Sequence, residues 1–274
     1  MYRTFLLVLL AGCSKSPPPP PVTEQIPSLS GLSVLEDTEG EPTLLAVADA
    51  KKAGEPRLFR IWGKTILPFD GALASAADLE GLTQMDGDTW WAITSNREVH
   101  PFDLVDGKPK EGKVFSLDGG PETEGFAAAS VGGAHLLVWG ARGVPGREGG
   151  AIWAAIVAED GTVGEVTALG PVEPKDRDPC ERSIGALWLL GDGTLYAAAT
   201  VDPDDCTPMR SQIYTAGVVV VAGGTISFIA DGTRLDPKID DHKVEGLTRD
   251  GAGSWWLAYD DETGGGIARW VPQP

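Results

Sequence analysis

The sequence predicts an all-β fold, a single β-propeller of five blades, and three observations predict it. The first is an internal repeat. Asp78-Leu79-Glu80-Gly81-Leu82-Thr83 is followed by Trp90-Trp91-Ala92-Ile93, and Lys243-Val244-Glu245-Gly246-Leu247-Thr248 by Trp255-Trp256-Leu257-Ala258. In both copies the first Trp lies ten residues after the Glu. A recurring strand–turn–strand unit at this period marks a stack of small sheets. The second observation is punctuation: short apolar runs alternate with turns such as Asp86-Gly87-Asp88, Asp160-Gly161-Thr162 and Asp192-Gly193-Thr194. The third is a mismatch in the count, since the last unit lacks a fourth strand while a spare β-prone segment, Val22–Ile26, precedes the first.

Taken in order, the first unit runs through Ser30–Ser33, Leu44–Asp49, Arg57–Trp62 and Thr65–Phe69. The second uses Leu79, Trp90–Thr94, Val99–Leu104 and Lys113–Leu117. The third uses Glu124–Phe126, Leu136–Trp139, Ala151–Val157 and Val163–Leu169. The fourth uses Ser183–Gly185, Leu195–Thr200, Gln212–Val221 and Thr225–Ala230, and the fifth Val244–Gly246, Trp255–Tyr259 and Gly266–Val271. An open edge invites aggregation, so Val22–Ile26 is expected to close the last blade as its outer strand. Six blades is the alternative, with a degenerate blade hidden in one long unit; a β-sandwich would not repeat Glu-Gly-Leu at this spacing.

The repeated Gly is expected where inner strands crowd. Consecutive Trp residues point to opposite faces of a strand, so Trp90-Trp91 and Trp255-Trp256 read as packing between blades.

The N-terminus carries an address. Arg3 precedes the apolar run Thr4–Leu10, too short to span a bilayer, and the run ends Leu10-Ala11-Gly12-Cys13. This resembles a bacterial lipobox, which implies cleavage before Cys13 and lipidation (palmitate included) of that residue, with an ordinary signal peptide as the alternative. Ser14 then implies the outer membrane. Pro17–Pro21 forms a stiff stalk of roughly 3.1 Å per residue. The expected organisation is residues 1–12 signal peptide, 13–24 lipidated Cys and stalk, and 25–274 propeller.

A net charge of −18 argues against nucleic acid and anionic headgroups as partners, and suits cations or basic ligands. With Cys13 lipidated, Cys180 and Cys206 remain, flanking the two strands of one hairpin. A disulfide between them is expected in an exported chain, against the alternative of two free thiols or metal ligands, which lack nearby Cys or His partners.

Strand starts and hairpin ends share one rim. That rim collects Glu80, Glu124 and Glu245 with Asp49, Asn96, Arg97, Arg142, Asp202, Asp260 and Asp261, with Asp204, Asp205, Asp240, Asp241 and His242 leaning in from loops. Glu80, Glu124, Asp202, Glu245, Asp260 and Asp261 are the candidate ligands for Ca²⁺, which takes six to eight oxygens. Arg97 or Arg142 would complete a phosphate clamp, and His242 is the best placed of the three histidines. The competing reading gives the glutamates a structural role, bonded to neighbouring blades or solvated. No Gly-x-Ser-x-Gly elbow and no His-Glu-x-x-His occurs.

Thr123–Ala128 with Leu136–Gly143, Lys243–Thr248 with Ala258–Asp261, and Asp78–Leu82 with Thr94–Arg97 resemble segments of an uncharacterised bacterial propeller family in the phytase-like group. Asn96 stands where that pattern has His. The resemblance implies a propeller and draws attention to Glu80, Glu124, Arg142, Glu245 and Asp261. Better-known members of the group are calcium-dependent phosphoesterases; their denser acidic loops do not recur here. The expected function is a binding or scaffold module at the cell envelope, with an unknown envelope protein or small ligand as partner. A Ca²⁺-dependent hydrolase is the alternative, and a carbohydrate-binding propeller, which needs exposed Trp at a rim, the third.

Overall fold

A computed structural model describes residues 28–37, 41–202, 204–260 and 265–270. The signal segment, Cys13, the proline stalk, Val22–Ile26 and Asp261 lie outside the described residues.

The chain forms five antiparallel sheets in sequence order. Blade one is β1 (Leu29–Glu36), β2 (Thr43–Ala48), β3 (Leu58–Trp62) and β4 (Thr65–Pro68). Blade two is β5 (Leu79–Asp86), β6 (Thr89–Thr94), β7 (Glu98–Val105) and β8 (Lys108–Glu111), with β9 (Phe115–Ser116) also on β7. Blade three is β10 (Gly125–Val131), β11 (Ala134–Ala141), β12 (Gly150–Val157) and β13 (Thr167–Val172). Blade four is β14 (Glu181–Leu189), β15 (Thr194–Val201), β16 (Arg210–Ala222) and β17 (Thr225–Arg234), with β18 (Ile239–Asp240) on β16. Blade five has three described strands, β19 (Val244–Arg249), β20 (Trp255–Asp260) and β21 (Gly265–Trp270).

Two outer strands differ from the sequence expectation. In blade two the fourth strand is Lys108–Glu111, because Asp106 and Gly107 both take positive φ (51° and 71°) and close a tight hairpin. Lys113–Leu117 contributes only the short β9. In blade three Val163 makes a single bridge to Val157, and the continuous strand begins at Thr167.

The ring closes through its glycines. An added Cβ on Gly31 would stand 2.6 Å from Leu82 N, on Gly81 2.6 Å from Phe126 Cβ, and on Gly125 2.7 Å from Leu187 Cγ. On Gly185 it would meet Val244 O at 2.7 Å, and on Gly246 the blade-one residues Gly31 and Leu32 at 3.1 Å. Each inner strand therefore lies against the next, and the fifth returns to the first. Five apolar clusters fill the five interfaces between blades. Trp90 packs between blades one and two and Trp91 between two and three; Trp255 and Trp256 divide in the same way between the two faces of blade five. Burial of aromatic surface on this scale is a main source of stability.

Candidate functional site

Five inner strands start at one end of the axis, so the residue before each glycine falls in one layer: Ser30, Glu80, Glu124, Ile184 and Glu245. Their edges leave a cavity of about 10 Å³, lined by Ser30, Glu80 and Glu245, which is room for about one water. Below it Leu32, Leu82, Phe126, Leu187 and Leu247 form an apolar ring that also floors a second cavity at the opposite mouth.

Cations of the same chain hold most carboxylates of this glutamate mouth. Arg142 Nε lies 3.2 Å from Glu124 Oε1. Lys243 Nζ bridges Glu245 Oε1 (2.9 Å) and Asp202 Oδ2 (3.2 Å). Arg182 reaches Asp202 Oδ2 at 2.9 Å and Asp205 Oδ2 at 2.7 Å. Lys51 pairs with Asp49 at 3.0 Å and with Asp78 at 3.6 Å, and Ser28 Oγ donates to Asp260 Oδ1 at 2.9 Å. No cation of the described residues pairs with Glu80. Burial, and then the charges of Glu124, Glu245, Asp78 and Asp49, hold its carboxyl well above the usual range. Burial raises Glu124 against the pull of Arg142, and pushes Glu245 up to about 7. Burial works against the Lys243 ammonium, yet Glu245 and Asp202 hold its pKa above the ordinary lysine value.

The remaining candidates are spread over the same rim. Arg97, at φ 66°, donates from Nε to Leu117 O (3.3 Å) and from Nη1 to Pro121 O (2.7 Å), so its guanidinium ties a loop down. Asn96 is exposed in that turn. The His242 ring lies over Tyr259 at 4.2 Å, and its carbonyl accepts from Ser211 Oγ. Asp260, at the end of β20, joins the mouth through Ser28.

Glu124, Glu245 and Asp202 are turned to Arg142, Lys243 and Arg182, and among the described residues no three acid, His or Cys side chains converge to hold a metal ion.

Cys180 and Cys206 form a disulfide, with Cα atoms 5.8 Å apart. The loop it anchors is also bolted by Arg234, whose guanidinium takes both oxygens of Glu181 (3.1 and 2.6 Å) and Gln212 Oε1 at 3.0 Å. Sequence reasoning missed this cluster, because Arg234 and Glu181 are 53 residues apart and belong to no motif.

Fold and site together define a five-bladed β-propeller with an acidic axial mouth partly paired by the chain's own cations. No protein-family model matches the chain, and no curated protein matches it in sequence, so neither supports the phytase-like resemblance. Solved structures match in shape. An α-L-arabinofuranosidase from Lactobacillus brevis aligns over 89% of this chain and 91% of its own, at TM-score 0.52 and 8% identity. A glycoside hydrolase from Parabacteroides distasonis, described as putative, aligns over 89% and 86% at TM-score 0.49 and 12% identity. A chain of the nidogen/laminin complex aligns over 84% and 72% at TM-score 0.44 and 13% identity. At 8% identity the arabinofuranosidase speaks for the propeller fold alone, and the two structures below TM-score 0.5 carry no argument.

Proposed function

We propose that this chain is an exported, lipid-anchored binding or scaffold module of the bacterial envelope, with the glutamate mouth as its docking face for a basic segment of an envelope protein. The observation that carries the reading is the state of the axial layer. Its cavity of about 10 Å³ leaves no room for an organic substrate, and Glu124 and Glu245 are already engaged by Arg142 and Lys243. Carboxylates around the mouth outnumber its cations: Asp49, Asp78, Glu80, Glu124, Asp202, Asp205, Glu245 and Asp260 face Lys51, Arg142, Arg182 and Lys243. Such a face attracts a basic partner and repels nucleic acid. The anchor rests on the lipobox at Cys13, with the proline stalk holding the domain off the outer membrane.

One observation favours a second reading, a Ca²⁺-dependent phosphoesterase of the phytase-like kind: Glu80 has no cationic partner among the described residues. Two measurements test the pair. An oligolysine peptide is titrated against wild type and Glu80→Gln/Asp49→Asn, and p-nitrophenyl phosphate turnover is followed with Ca²⁺ and with EDTA. The first reading expects salt-sensitive peptide binding that weakens in the variant, and no turnover. EDTA-sensitive turnover would overturn it. For the anchor, Cys13→Ala is expected to move the protein from the membrane to the soluble fraction; retention in the membrane would contradict it.

A further inference from the structure

The two ends of the axis differ in size and in charge. The far mouth holds a cavity of about 210 Å³, against about 10 Å³ at the glutamate end. Its floor is the apolar ring, and its wall comes from the second halves of the five inner strands. In a chain of net charge −18, none of the residues lining this cavity is acidic, and the one charged residue among them is Arg249.

Three side chains give the wall its chemistry. The Arg249 guanidinium lies over the Trp255 ring at 5.5 Å and spends Nε on Gly253 O at 3.0 Å; no carboxylate pairs with it among the described residues. Trp188 is half-buried and held edge-on by Trp255 at 5.1 Å, with Tyr196 at 6.2 Å behind it, a rigid aromatic surface beside the cavity. Gln84 donates Nε2 to Gly87 O at 2.5 Å, which fixes the amide and leaves Oε1 to accept. An apolar floor with a few convergent polar groups is the usual composition of a small-molecule site.

We infer that the far mouth binds a single-ring organic carboxylate. The carboxylate accepts from the Arg249 guanidinium, whose fork suits bidentate donation. The ring stacks against Trp188 over the apolar floor, and a hydroxyl of the ligand donates to Gln84 Oε1. The volume, below the roughly 300 Å³ at which drug-sized pockets begin, limits the ligand to one ring. The charge asymmetry of the two linings sets the end: glutamates line the other cavity, whereas the one charged side chain lining this one is Arg249, with Asp250 and Asp37 turned to the backbone and side chains of the adjoining turn. This inference concerns the opposite end of the axis, and it holds whatever docks at the glutamates and wherever the chain is anchored.

The test uses the purified full-length protein and four probes: glucuronate and 4-hydroxybenzoate as a sugar and an aromatic carboxylate, glucose and 4-hydroxybenzyl alcohol as their neutral counterparts. Titration is followed by calorimetry and by the indole N–H resonance of Trp188, assigned from Trp188→Phe. At least one carboxylate is expected to bind saturably and to shift that resonance, its neutral counterpart to bind at least about tenfold more weakly, and Arg249→Gln to remove the difference. Which carboxylate wins tells sugar acid from aromatic acid. Absence of saturable binding by either carboxylate, equal binding by the neutral probes, or full binding by a folded Arg249→Gln variant would overturn the inference.

Discussion

Lys243 Nζ lies 2.9 Å from Glu245 Oε1 and 3.2 Å from Asp202 Oδ2, so one largely buried ammonium joins the inner strand of blade five to the hairpin end of blade four. Removing one partner of a buried pair strands the other charge, which costs about 3–5 kcal/mol. Lys243→Met is therefore expected to destabilise by about 3 kcal/mol in urea unfolding, less than the full range's upper end because Arg182 still holds Asp202. Adding Glu245→Gln removes the stranded carboxylate and should restore more than half of the loss. Strictly additive losses would show that the two residues do not act as a pair.

Glu80 and Glu245 make stability pH-dependent in a defined direction. Both carboxyls are raised in the folded state, chiefly by burial, so the folded protein binds more protons than the unfolded chain. Their contribution is complete below the unfolded carboxyl range and is lost as pH rises, for Glu245 through about 7. Melting temperature should fall between pH 5 and pH 8. Glu80→Gln keeps the shape and removes the unpaired carboxyl, so above the pH at which Glu80 ionises it should melt about 2–4 °C above wild type, the shift that ~1 kcal/mol gives a domain of this size. The advantage of Glu80→Gln should widen as pH rises from 5 to 9; a difference that does not grow with pH would contradict a buried, unpaired Glu80 carboxyl.

The glycine ring makes a steric prediction. Gly81→Ala drives a methyl to 2.6 Å from Phe126 Cβ and 3.3 Å from Phe126 N, atoms of the neighbouring inner strand that cannot swing away. Overpacking of this kind costs about 1–3 kcal/mol. Denaturant unfolding of Gly81→Ala, with Gly87→Ala as a turn control that meets nothing within 4 Å, separates the clash from the loss of glycine's positive φ of 48° at that turn.

The Cys180–Cys206 bridge spans 26 residues of sequence. On the chain-entropy account its removal should cost about 3 kcal/mol. The double Cys180→Ser/Cys206→Ser variant should show that loss without reductant, while wild type shows it only with reductant present. Equal stability of the two under oxidising conditions would mean that the Arg234–Glu181 clamp alone holds the loop.

Strands, blade count and the partition of Trp90 from Trp91 were legible because each is written locally: alternation fixes a face, Asp-Gly fixes a turn, and the Glu-Gly repeat fixes the period. Cys180 and Cys206 were legible because a hairpin brings its two ends together. The outer strands were read less well. The hairpin at Asp106-Gly107 sits among Lys and Pro residues whose edge position needs little apolar signal, so the strand there escaped notice. The rim was legible as a list of acids and not as a set of pairings. Nothing in Lys243 or Arg182 announces that both converge on Asp202, since the three come from a strand start, a hairpin end and a loop joined only by the closed ring. Arg97 illustrates the converse: its place on the rim was foreseen, but its two backbone carbonyl partners were not.

We propose that the glutamate mouth, its carboxylates only partly paired by the chain's own cations, works by docking and not by metal-assisted chemistry. A melting curve of the purified protein in EDTA, then with Ca²⁺ up to millimolar concentration and NaCl matched for ionic strength, tests it most directly. The account predicts no saturable shift beyond the salt control. A rise of several degrees that saturates with Ca²⁺ would mean a native-state metal site and would contradict it.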